Sequence, residues 1–277
     1  MIEPDGIIRV AIGLEYDGSG FAGWQTQAQA PSVQSAVEAA LSTVADEPVA
    51  VIIAGRTDAG VHAASQVAHF DTTASRSARG WVLGANTHLP PQVSVRWAQV
   101  VPRHFHARYS AEARTYRYII LNRLGRSALA AGRVALIYKP LDVGLMTRAA
   151  QPLLGEHDFS AFRAAECQAR SPVRCLQELS VWREGEQVII QATANAFLHH
   201  MVRNLAGLLI AAGLGKLPPE QAEALLASRD RTLAPPTAPA EGLYFWSVRY
   251  PQAFGLPNGP ADGHFAGCWY HVLPAQL

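Results

Sequence analysis

The chain has 277 residues, 49% of them apolar and 16% charged, enough hydrophobic material for one large domain or two of ordinary size. Its 23 basic and 22 acidic side chains leave a net charge of +1, so composition alone gives no sign of a polyanionic partner, and no apolar run approaches the length that spans a bilayer. Cys167, Cys175 and Cys268 are too few and too irregularly spaced for a disulfide framework or a zinc ribbon, and the first residues lack the basic and apolar regions of a secretory signal, so a cytoplasmic protein with free thiols is expected.

Taken in order, residues 9–16 alternate as a strand does, and the glycine-rich residues 17–20 turn the chain toward Phe21, Trp24 and Gln25. Residues 32–45 predict an amphipathic helix with Val33, Val37, Leu41 and Val44 on one stripe and a capping box at Ser35 and Glu38. Residues 49–54 are an unbroken apolar run and predict a strand covered on both faces, whereas residues 65–70 alternate and predict a strand with one buried face. A helix near 79–88 and a strand at 93–101 complete a first α+β half, assigned to residues 1–104.

The second half is assigned to residues 105–250. A basic stretch runs across the boundary, in which Arg103, Arg108, Arg114, Arg117, Arg123 and Arg126, with His104 and His106, stand against Glu112 and are interleaved with Phe105, Tyr109, Tyr116 and Tyr118. Such a mixture suits a surface that follows phosphates and stacks on bases. A strand is predicted at 113–121, with Tyr116, Tyr118 and Ile120 on one face, and another near 134–138. A helix at 142–154, a loop at 155–162 and a hairpin pairing 176–183 with 187–194 follow. Residues 197–213 give the strongest helix of the chain, placing His199 and Arg203 on one face at i and i+4. A shorter helix at 219–228, a proline-rich loop and a strand at 243–250 come next, and residues 251–277 read as a tail. The fold class expected is α+β, with each half holding helices against a sheet.

Between the strands at 49–54 and 65–70 lies Gly55-Arg56-Thr57-Asp58-Ala59-Gly60-Val61-His62, a short loop that fixes one carboxylate, Asp58, at a strand end. Glycines at 55 and 60 permit backbone angles closed to other residues and let a ligand approach the main chain. On residue types alone the favoured reading of Asp58 is a turn residue that caps its own backbone, with Arg56 as a surface ion-pair partner. A metal site is a rival reading for the ten histidines, but a helix would point His199 and His200 roughly a hundred degrees apart, with no ligand at zinc spacing beside them. No phosphate-binding loop, dinucleotide fingerprint or serine-nucleophile elbow is present, and no metal or cofactor is expected.

That loop, together with Ile12 through Gln25, Phe105 through Ala111, Arg114 through Tyr118, Asn195 through Asn204, Asp230 through Ala234 and Ala240 through Tyr244, resembles in order the blocks of the tRNA pseudouridine synthase family of the TruA type. The resemblance covers about residues 7 to 250, and blocks in register are far more specific than any single motif. It implies two similar halves, each a mainly antiparallel sheet covered by helices, with a basic cleft between them. It further implies a homodimer that isomerises uridine to pseudouridine in the anticodon stem-loop of tRNA, at positions 38 to 40, without a cofactor.

The same resemblance makes Asp58 the catalytic residue, reasonable chemistry because carboxylates form covalent intermediates at sugar and related electrophilic carbons. Arg56 would occupy the space vacated when the target base leaves the stack, Tyr116 would stack on the uracil, and Arg203 would pair with Asp58. The residues themselves leave alternatives open: an ordinary ion pair for Arg56, a core aromatic for Tyr116, and a side chain reaching solvent for Arg203. A non-catalytic RNA-binding protein using residues 103–126, and a synthase acting on another RNA, are the competing functions.

Overall fold

The structure, a computed structural model, describes residues 6–257 and 259. In chain order the elements are β1 (Ile8–Tyr16), α1 (Val33–Ala45), β2 (Ile52–Ile53), β3 (His62–Thr72), α2 (Ala78–His88), β4 (Val93–Val101) and β5 (Ala113–Leu121). They continue with β6 (Ala135–Leu136), α3 (Val143–Ala150), β7 (Gly155–Asp158), β8 (Val173–Glu184), β9 (Gln187–Ala194), α4 (Met201–Gly213), α5 (Gln221–Ser228) and β10 (Leu243–Arg249). Most of the expected tail lies outside the described residues. No described helix is long and apolar enough to cross a membrane.

The fold is α+β, as the alternation of patterns predicts. The antiparallel strands of the two halves join edge to edge in one sheet, ordered β4-β1-β3-β10-β5-β9-β8-β7, with β2 beside β3 and β6 beside β5. The last strand makes the join: β10 lies antiparallel to β5 and touches β3 in a short parallel pairing, Tyr244 opposite His62 and Phe245 opposite Ala63. Paired residues share a face. One face of the sheet carries Val10, Ile12, Leu14 and Phe70, whose ring meets Trp81 of α2 edge-on at 5.1 Å. Tyr116, Tyr118, Leu243 and Phe245 continue that face toward α4, where eleven of thirteen residues are buried. So buried a helix is fixed by its packing, and side chains on its first turn are held as firmly as the sheet itself.

Two strand patterns turn out reversed. β3 is covered on both faces, Asp71 alone being exposed, while Val49, Val51 and Ile53 are buried but Ala50 and Ile52 are exposed. The polar residues that made β3 look half-exposed are buried hydrogen-bonding groups: Gln66 donates to Gly55 O at 2.8 Å, and His69 Nδ1 accepts from Ala107 N at 3.1 Å. Around His69, Phe105 packs on Tyr250 and Phe254, which closes the second face.

Other boundaries shift for local reasons. The cap of α1 is Ser32, whose Oγ accepts from Ser35 N at 3.1 Å, and Glu38 serves instead as acceptor for Val51 N at 3.0 Å. Residues 155–158, expected as loop, form β7 on the edge of the sheet against β8. The predicted helix from 197 begins only at Met201, because His200 adopts a left-handed backbone, φ 61° and ψ 2°.

The basic stretch does not make one surface. Arg114 is buried, Arg117 lies 3.9 Å from the Trp246 ring on the sheet face opposite Tyr116, and Arg123 pairs with Glu186 at 2.8 Å. Phe105, Tyr116 and Tyr118 belong to the core. Arg103, His104, Arg108, Tyr109 and Arg126 remain exposed.

Candidate active site

The loop between β2 and β3 is fixed at each of its ends. Ala54 N donates to Val67 O at 2.9 Å, and Ala54 O accepts from Arg114 Nε and Nη2 at 3.3 and 3.2 Å. Gly55 passes so close to the core that a Cβ there would stand 2.9 Å from a Phe245 ring carbon and 3.4 Å from the Tyr116 hydroxyl, a separation no larger residue tolerates without displacing them. Thr57 is buried and its hydroxyl lies 2.8 Å from that of Tyr16 on β1, while its carbonyl accepts from Trp24 N at 3.0 Å. Gly60, at φ 76°, turns the chain back into β3. With Thr57 anchored inward, the neighbouring Arg56 is exposed and Asp58 is partly exposed.

The Asp58 carboxylate meets the start of α4. Its Oδ1 lies 3.4 Å from His199 Nε2, and its Oδ2 lies 3.2 Å from His200 Nε2 and 3.4 Å from Arg203 Nη1. Arg203 is held in turn by a 2.8 Å hydrogen bond from its Nε to Ala238 O. The Arg203 guanidinium thus faces the carboxylate within ion-pair distance. Burial lowers the pKa of His200, against an upward pull from Asp58 and with a further downward push from His199 and Arg203. The imidazole is therefore neutral at neutral pH.

Tyr116 lies under the loop, its ring edge-on to Phe197 at 5.0 Å and to Phe245 at 5.1 Å. Burial drives its hydroxyl pKa far upward, outweighing the nearby Arg114, and the charge of Asp58 pushes the same way. The hydroxyl stays protonated across the physiological range. Arg56 makes no ion pair among the described residues, so neither the surface pairing with Asp58 nor another one is seen.

The structure thus brings Asp58 and Arg203 together, seats Tyr116 against Gly55, and leaves Arg56 exposed two residues from the carboxylate. It also adds His199 and His200, which a helix through 197–200 would have separated. Their rings are instead 4.1 Å apart, both turned to Asp58, because the chain reaches α4 through a turn rather than a helix. The adjacent histidines in Asn195 through Asn204 carried that signal, lost by extending the helix too far. Asp58, His199 and His200 each offer one ligand atom, all within 4.8 Å of one another, and could hold a metal ion. Arg203 opposes one, since its cation already faces the same carboxylate.

A family model described as tRNA pseudouridine synthase matches residues 13–110 and 149–251. The chain is 54% identical over 260 residues to a tRNA pseudouridine synthase A of Thiobacillus denitrificans, covering 94% of this chain and 100% of that one. It is 57% identical over 257 residues to one of Methylococcus capsulatus, covering 93% and 95% of the two chains, and 54% identical over 253 residues to one of Vibrio cholerae, covering 91% and 96%. The chain belongs to the tRNA pseudouridine synthase family. In this member of the family, one matched stretch holds the Asp58 loop and the other holds His199, His200 and Arg203. Tyr116 and Arg114, on β5, fall between the two stretches of the family model.

Proposed function

We propose that the chain isomerises uridine to pseudouridine in the anticodon stem-loop of tRNA, with Asp58 as the catalytic carboxylate. The observation that carries this is the placement of Asp58: a glycine-bounded loop, anchored through Thr57 and Arg114, presents it to Arg203 and to the first turn of a buried helix. The relatives named above, tRNA pseudouridine synthases A over nearly their whole length, support the substrate class.

The reaction breaks the bond from uracil N1 to ribose C1′, turns the ring within the site, and joins C5 to C1′. Asp58 supplies the nucleophile, at base or ribose, and Arg203 holds it in place. Tyr116 offers a ring for the uracil to stack on. A base inside a stem must first leave the stack at a cost of a few kcal/mol; Arg56, exposed two residues from Asp58, fills the space it leaves. Residues 1–104 contribute the catalytic loop and residues 105–250 contribute Tyr116 and Arg203, with RNA lying in a basic cleft between these halves of a cytoplasmic homodimer. The rival reading, a binding module built on residues 103–126, loses its main support, because that stretch is divided between the core and opposite sheet faces.

The test is to treat an unmodified tRNA transcript with the protein and map pseudouridine at single-nucleotide resolution. Modification within the anticodon arm is expected. Pseudouridine confined to other positions, or to another RNA offered in the same reaction, would remove this substrate.

A further inference from the structure

Three of the four aromatic side chains in the basic stretch belong to the core; Tyr109 does not. It is 77% exposed, the most exposed aromatic residue among those described, on a segment whose Phe105 and Ala107 are completely buried. A single exposed ring needs no explanation by itself. What marks this one is how firmly it is held.

The turn from His106 to Ser110 closes on itself. Ser110 N donates to His106 O at 2.9 Å, His106 N donates to Ser110 Oγ at 2.9 Å, and His106 Nδ1 accepts from Arg108 N and Tyr109 N at 3.1 and 3.2 Å. Ala107 pins the turn to the core, its N–H donating to His69 Nδ1 at 3.1 Å and its carbonyl accepting from the Tyr250 hydroxyl at 2.6 Å. On this support the Tyr109 ring rests on the His106 ring, with centroids 4.3 Å and planes 30° apart, and the Arg108 guanidinium lies 5.7 Å from the tyrosine centroid. One ring face is thus seated on the imidazole, and the exposed area is the rest of the ring. Little freedom remains to be lost when something stacks there.

Position and charge say what that is. The Arg114 guanidinium donates both to the carbonyl of Arg108 and to that of Ala54, so the turn stands beside the strand end that carries the Asp58 loop. Arg103, His104 and Arg108 are exposed around it, while Glu112, the nearest acid along the chain, faces Arg249 at 3.7 Å. Resting on the reading of tRNA as substrate, we propose that Tyr109, seated on His106, is the stacking platform for one unpaired nucleobase of that RNA outside the target uridine, with Arg108 meeting an adjacent phosphate. Every base has a π face, so the platform takes a nucleotide by its position in the folded RNA and not by its identity.

The experiment measures equilibrium binding of an unmodified tRNA transcript, with no chemistry required, to wild type and to Tyr109→Ala, Tyr109→Leu, Tyr109→Phe and Tyr109→Trp, their folding checked by melting temperature. The alanine and leucine variants should bind roughly 5–150-fold more weakly, the worth of one base on an aromatic ring, while phenylalanine and tryptophan bind as wild type does. At saturating tRNA kcat should stay within about threefold, so the loss falls on KM. Transcripts with single abasic sites locate the base: at one position wild type should lose the same factor and Tyr109→Ala should lose nothing more. Arg108→Gln should lower the slope of affinity against salt by about one phosphate contact. Wild-type affinity in Tyr109→Ala overturns the proposal, as does rescue by leucine, which would make the contact merely apolar, or additive losses at every abasic site. An altered oligomeric state with unchanged tRNA affinity would assign the ring to a protein contact and overturn it too. Absence of pseudouridine from the wild-type reaction would instead strike the isomerase reading, which binding does not measure.

Discussion

Arg114 donates twice to the carbonyl oxygen of Ala54, through Nε at 3.3 Å and Nη2 at 3.2 Å. The same guanidinium reaches Asn195 O at 2.8 Å and Ala111 O at 3.3 Å, and also the carbonyl of Arg108. A buried cation with carbonyls as its hydrogen-bond partners thus ties the strand end before the Asp58 loop to the segment leading into α4. Arg114→Met should strand several buried acceptors and lower stability by on the order of 3 kcal/mol, with Arg114→Lys intermediate because one ammonium serves fewer carbonyls. Equilibrium denaturation measures both; a methionine variant as stable as wild type would contradict the stapling role.

Gly55→Ala tests the close approach of the loop to the ring cluster. A methyl group 2.9 Å from the Phe245 ring must displace either the loop or the ring. A loss of about 1–3 kcal/mol is expected, together with a fall in kcat, since any displacement of the loop carries Asp58 with it. Unchanged stability and kcat would show that the loop is free to shift without consequence.

Arg56 should behave in the opposite way. Exposed and without an ion pair among the described residues, it contributes little to folding, so Arg56→Met should change stability by less than about 0.5 kcal/mol. If it holds the extruded conformation of the RNA, turnover on folded tRNA should drop roughly tenfold or more. Thermal melts alongside steady-state kinetics separate the two effects. Full activity would remove Arg56 from the mechanism.

Acid stability is set in part by His69. Burial lowers its pKa to about 4, its Nδ1 accepts from Ala107 N, and Arg9 and His106 disfavour its charge while Asp71 favours it. A folded-state value below the unfolded value of about 6.5 means that the unfolded chain binds the extra proton first. The stability this supplies is complete above pH of about 6.5 and is lost as pH falls toward 4. His69→Gln should flatten the decline of melting temperature across that window, even if it lowers the melting temperature at neutral pH. An unchanged slope would assign acid lability to other groups.

The sequence makes the strands at 93–101 and 113–121 legible because their alternation is long and uninterrupted, and it makes Asp58 legible because a loop between strands carried it. Pairing between distant partners was less accessible. Nothing local in residues 243–249 says that β10 enters between β3 and β5, nor that polar Gln66 and His69 point into the core to satisfy backbone groups. Periodicity also ran the helix through 197–200, since one left-handed residue leaves no mark on an apolar repeat, and that hid His199 and His200 as partners of Asp58. The arginines at 103–126 misled in the same way: adjacency in sequence says little about shared surface once a strand sends neighbours to opposite faces.

The most direct test uses tRNA carrying tritium at uridine C5, treated with wild type and with Asp58→Asn, whose folding is checked by its melting temperature and whose tRNA affinity is measured in parallel. Wild type should release tritium to water, and the variant should bind tRNA comparably and release none. Release by Asp58→Asn at the wild-type rate would contradict the account.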